Sequence, residues 1–177
     1  MARGGQAAVN GARGPTWRQA PRALRALGLW VTLVQLVGYT TGLLYVRHTT
    51  GMTPPGVSEQ YRGSDSTAVT EAAMKFPKSY PEMLNITHTH LLGMLVIFVL
   101  SGAALALCER PSERWRRLLI IEPFAALLVS FSAMWLMRYA HPAFSWLLTL
   151  SSAIMALTFY VQSFFVLREL AGLREPA

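Results

Sequence analysis

A single cysteine, Cys108, excludes an intrachain disulfide, a CxxC zinc pattern and a CxxCH haem-attachment pattern. Any haem would have to be held non-covalently. Charge is also scarce. Only 14% of the 177 residues are Asp, Glu, Lys or Arg, against about 25% in a typical soluble domain, so an ordinary soluble globule is excluded. No Ser/His/Asp set, phosphate-cradling glycine loop or paired-carboxylate site is present, which leaves hydrolase and kinase chemistry without residues to carry it.

Apolar sequence is abundant, at 53% of the chain. It is gathered in four runs, Leu27 to Val46, Ile86 to Leu107, Leu118 to Met137 and Ala143 to Leu167. Each reaches the roughly 20 residues that a helix needs to cross hydrocarbon. The expected architecture is an all-α, four-span transmembrane bundle, up-down-up-down, occupying residues 26–170 with an external loop at 47–85. Residues 1–25 are rich in Gly, Ala and Arg and contain no acid, and read as a disordered basic arm or as a targeting segment.

The net charge of +7 is distributed unevenly. Arg3, Arg13, Arg18, Arg22, Arg25, Arg110, Arg114, Arg116, Arg117, Arg168 and Arg174 fall on one side of the spans, and Arg47, Arg62, Lys75, Lys78 and Arg138 on the other. The positive-inside rule then predicts both termini in the cytoplasm, and this pattern points to a bilayer as partner and away from nucleic acid. A multi-pass protein of a bacterial inner membrane is the expected setting.

In the loop, Met52 to Gly56 reads as a turn or polyproline element, and Ser66 to Met74 as the one short surface helix that the segment supports. Asn85 or Thr87 offers an N-cap for the second span, and Pro142 suits the first turn of the fourth. Short links predict that each helix packs on its sequence neighbours. Gln35, Gly38 and Gly42 form a stripe on the first span, and Ser151, Met155, Thr158 and Gln162 form another on the fourth. Such faces usually pack helices.

All four histidines, His48, His88, His90 and His141, fall at the same end of the spans. Neutral imidazole is the commonest metal ligand among side chains and a proton carrier near neutral pH, so this rim is the candidate site for haem b or a transition metal. His88 and His90 are separated by about 200 degrees on a regular helix and share an ion only if the helix begins between them. His90 shares a stripe with Met94, Ile97 and Ser101, which makes it the leading internal ligand, with His141 as its partner and Met94 as a further metal ligand. Arg47 and Arg138 stand at the same rim, where guanidinium groups suit propionates. Interfacial imidazoles also simply snorkel to water. Glu122 is the only acid inside a span, an intramembrane carboxyl for which Gln162 or Arg117 is the expected partner.

Thr87-His88-Thr89-His90-Leu91-Leu92-Gly93-Met94, Glu122-Pro123-Phe124 and His141-Pro142-Ala143-Phe144-Ser145-Trp146 resemble a set of short bacterial four-helix inner-membrane proteins of unassigned function, over about residues 85–167. More distantly, paired histidines on four helices are similar to small membrane b-type cytochromes. Those place their ligands at matched depths inside helices, whereas a cluster at one rim implies a single haem near the outer face.

Three functions fit these residues. The first is a haem- or metal-binding subunit that passes electrons at the outer face to a quinone or cytochrome partner. The second is a cofactor-free accessory or assembly subunit that recruits other membrane subunits. The third is a small transporter or metal sensor using Glu122. None of the three requires a stand-alone enzyme.

Overall fold

The computed structural model describes residues 14–64 and 74–172. Five helices follow one another among them: α1 (Arg22–Thr50), α2 (Pro54–Arg62), α3 (Tyr80–Ala106), α4 (Glu113–Tyr139) and α5 (Phe144–Leu170). All but α2 are long and apolar enough to span a membrane, and no strand occurs among the described residues. The chain is an all-α bundle of four membrane-spanning helices. At about 1.5 Å per residue, helices of 27 to 29 residues extend beyond a hydrocarbon core about 30 Å thick, so their ends stand in the headgroup layers.

The start of α3 departs from expectation. Ser79, rather than Asn85 or Thr87, is the N-cap. Its hydroxyl accepts from the Glu82 N–H, and the Glu82 carboxylate accepts from the Ser79 N–H at 2.7 Å. This reciprocal capping box satisfies two amide donors, and Pro81 is harmless in a first turn because its missing N–H is not required there. The same reason corrects the reading of Met52 to Gly56. Pro54 and Pro55 open α2, with the Thr53 hydroxyl accepting from Gly56 N–H at 3.2 Å. The helix expected over Ser66 to Met74 falls almost wholly outside the described residues.

Packing is not simply between sequence neighbours. α5 touches every other helix, its closest partner is α4, and α1 lies mainly against α5 and hardly against α3. The long connection after α1 frees it from the antiparallel pairing that short links impose on α3, α4 and α5. The α4–α5 seam is built from small and polar residues. Ala126, Ser130 and Ala133 on α4 are buried, as are Ser151, Met155, Thr158 and Gln162 on α5, so the expected stripe on the fourth span does face the interior. Ser130 and Ser151 hydrogen-bond across the seam at 2.7 Å. Small side chains let the backbones approach, which is what drives packing where lipid is as apolar as the helix surface.

An aromatic core joins α1, α3 and α5. Tyr39 stacks on Phe159 with centroids 4.3 Å apart, and Phe98, fully buried, lies 6.4 Å from Tyr39. A second cluster closes the end that holds both described termini. There Trp17 is buried among Leu105, Cys108, Val166 and Leu170. Its indole N–H donates to Ala104 O at 2.8 Å and its backbone N–H to Leu107 O at 3.0 Å. Residues 14–25, within the segment expected to be a disordered arm, are therefore held against the bundle, because Trp17 has enough apolar area and two hydrogen bonds with which to anchor them. Residues 1–13 lie outside the described residues.

Candidate functional site

The histidine end of the bundle is a tightly tied rim. The C-terminal carbonyls of a helix lack intrahelical donors and attract cations, and loop cations fill that role here. Arg62 Nη1 donates to Met137 O at 2.8 Å and Arg138 O at 3.3 Å, at the end of α4. Lys75 Nζ donates to Thr49 O at 2.8 Å, at the end of α1. Arg138 Nε donates to Lys78 O at 2.9 Å while its guanidinium sits 4.9 Å from the Tyr139 ring centroid. Lys78 N–H donates to Tyr61 O, and Ser64 N–H donates to Lys75 O, both at 2.9 Å. These contacts fasten α2 and the segment after it to the ends of α4 and α1. Tyr61 is held there with its phenol pushed above the ordinary tyrosine range by burial, with Tyr45 adding in the same direction.

Within this rim the histidines are all exposed. Because α3 begins at Tyr80, His88 and His90 both lie in its body, and the condition that would let them share one ion is not met. His90 Nδ1 lies 3.0 Å from Ile86 O of its own helix, and His141 Nδ1 accepts from Ala143 N–H at 3.1 Å. The His90 stripe turns inward only past the histidine. Met94 and Ile97 are half-buried against the core and Ser101 is buried. Arg47 and His48 are exposed on the last turns of α1. Among the described residues no group of three or more His, Cys, Asp or Glu side chains is arranged to hold a metal. Arg138, expected to be free for a propionate, is committed to Lys78 and Tyr139.

The second constellation lies inside the bundle, where α4 carries Glu122-Pro123. Proline has no N–H, so the carbonyl four residues back, Leu119 O, loses its helical donor. Gln162 of α5 supplies the replacement, with Nε2 donating to Leu119 O at 2.6 Å. Gln162 is fully buried. Its amide is therefore occupied with the gap left by proline and is not the partner of Glu122. Two buried acceptors, Gln162 Oε1 and Glu122 Oε2, have no hydrogen-bond partner among the described residues.

Nearby, Tyr39 lies within electrostatic range of Glu122 and Tyr160, Tyr160 hydrogen-bonds Thr40 at 2.8 Å, and Gln35 Nε2 donates to Ile97 O at 3.2 Å. Buried polar atoms are nearly always paired. Each of these two acceptors lacks a donor that a proton or a water can supply.

Sequence reasoning singled out Glu122 and Gln162 but missed the capping roles of Arg62 and Lys75, for which helix C-termini were the available signal. It also missed Trp17, a lone large aromatic ahead of the first span.

A family model described as a transmembrane helical domain matches residues 51–177, and the chain belongs to that family. The match begins immediately after α1. No curated protein and no solved structure matches the chain.

Proposed function

We propose that this member of the transmembrane helical domain family is an accessory or assembly subunit of a membrane complex, held to a partner helix through the outer face of α1. One observation carries this reading. Gly38 and Gly42, spaced to let two helices approach closely, have nothing within 4 Å of where a Cβ would stand. The stripe was expected to pack against a helix, and its glycines face away from the helices of the bundle. Around them Trp30, Val34, Val37 and Tyr45 are each about two-thirds exposed. Beside them a shallow groove of about 330 Å³ is lined by Leu36, Val37, Thr40 and Thr41. Lipid gains nothing from a glycine pair, whereas a partner helix gains close backbone contact. That α1 lies outside the matched domain and is the least enclosed span is consistent with a recruiting element.

The arginine-rich end, with both termini, is assigned to the cytoplasmic side of a bacterial inner membrane, supported by the placement of arginines along the chain. The test is Gly38→Leu with Gly42→Leu in the tagged full chain. The variant is expected to keep its helical circular dichroism while losing subunits that co-purify with the wild type in fixed stoichiometry. Retention of those subunits refutes the assignment.

The two unpaired acceptors at Glu122 and Gln162 favour a second reading, a small transporter or sensor with Glu122 as its intramembrane acid. The reading as a haem- or metal-binding electron carrier to a quinone or cytochrome rests on the histidines alone, and their exposed, locally bonded rings support it less.

A further inference from the structure

We propose that the groove at the foot of α1 is a site for one anionic phospholipid of the adjoining leaflet. The groove is open, about 180 Å³ in volume, and lined by Arg22, Arg25, Ala26, Leu29 and Leu170. Its two cations are three residues apart on one helix, so they lie on one face.

Neither guanidinium has a hydrogen bond or ion pair with any described residue, in contrast to Arg18 and Arg116 at the same end, and only this pair lines the groove. Arg18 pairs with Glu109 at 3.3 Å, and Arg116 pairs with Glu113 and donates to Cys108 O at 2.6 Å. Glu169, the acid beside Leu170 in the chain, is turned to the Glu109 N–H, 3.3 Å from both carboxylate oxygens. The groove thus has positive charge at its mouth and no acid engaged with it among the described residues.

The rest of the lining fixes the class of ligand. Ala26 and Leu29 continue down α1 by about one turn from Arg22 and Arg25, and Leu170 closes the other wall from the end of α5. A phosphate diester fits the guanidinium pair bidentately, and the glycerol and first methylenes of an acyl chain fit the apolar wall. A free phosphate would leave that wall bare. A zwitterionic lipid would set its own ammonium beside the two arginines. Both considerations select an anionic diacyl lipid from the bilayer.

The test is native mass spectrometry of the full chain, delipidated in detergent and titrated with phosphatidylglycerol, phosphatidylcholine of the same chains, or inorganic phosphate. One retained phosphatidylglycerol per chain is expected, with neither of the others retained. Each basic residue near an anionic surface contributes about 1 kcal/mol, so Arg22→Gln with Arg25→Gln is expected to weaken retention about 30-fold. Arg114→Gln with Arg117→Gln, which removes equal charge elsewhere at the same end, should leave it unchanged. Ala26→Trp, which fills the groove and keeps its charge, should abolish it. Equal losses in the two arginine pairs, retention in Ala26→Trp, or retention of inorganic phosphate in place of the lipid would overturn the proposal.

Discussion

The repair of the α4 backbone by Gln162 can be isolated by a double-mutant cycle. Gln162→Leu removes the donor to Leu119 O, which leaves a buried carbonyl unpaired at about 1 to 3 kcal/mol. It also removes the unpaired Oε1, an offsetting gain, so the single variant alone decides little. Pro123→Ala separates the two effects. Alanine restores the N–H that the helix expects, Leu119 O regains its donor, and the Gln162 amide is no longer needed. The Oε1 contribution is present in both backgrounds and cancels in the cycle. The coupling between the two positions is therefore expected at about 1 to 3 kcal/mol, with Gln162→Leu better tolerated in the Pro123→Ala background than beside the native proline. The assay is reversible unfolding in mixed micelles followed by circular dichroism. Independent sites add within about 0.5 kcal/mol, so a coupling inside that margin would refute the claim that Gln162 compensates for the proline.

Three further outcomes are expected. Burial pushes the Cys108 thiol up to about 12, Glu169 adds in the same direction, and Trp17 and Arg116 oppose weakly. A water-soluble maleimide at pH 7 should leave the folded chain unlabelled and label it once unfolded. Because this pKa is raised in the folded state, its contribution to stability is complete below the ordinary thiol value near 9 and is lost as pH rises toward 12. Fast labelling of the folded chain would contradict this. Trp17→Ala should destabilise by about 3 kcal/mol, the low end for burying and then deleting a large aromatic, and Gly28→Leu should act through the same contact, since a Cβ there would stand 2.5 Å from the Trp17 ring. A loss below about 1 kcal/mol for Trp17→Ala, read by the same micelle assay, would put Trp17 outside the core. Finally, the chain purified after haem-supplemented expression should show no Soret band, and a band abolished by His90→Ala would restore the electron-transfer reading.

The spans were legible because hydropathy over some 20 residues is a cumulative signal, but their ends were not. Pro54 and Pro55 suggest a turn or polyproline element although proline also suits a first helical turn, and the Ser79-x-x-Glu82 capping box that marks the start of α3 precedes the expected caps at Asn85 and Thr87. Which face of α1 turns outward could not be read, since a glycine pair serves an internal or an external neighbour equally well. The donation from Gln162 to Leu119 was half legible. Pro123 announces a free carbonyl at position 119, yet only the α4–α5 seam reveals which residue fills it. Helical spacing correctly separated His88 from His90, whereas their exposure depends on where the bundle stops covering α3, a property of packing rather than of period.

The central claim, that the outer face of α1 is covered by a partner helix, is tested most directly by the oxygen accessibility of a spin label at Gly38→Cys in a Cys108→Ser chain. The label should be oxygen-accessible when the purified chain alone is reconstituted in lipid, and strongly shielded in the complex extracted gently from its own membranes. Equal, lipid-like accessibility in both would contradict the account.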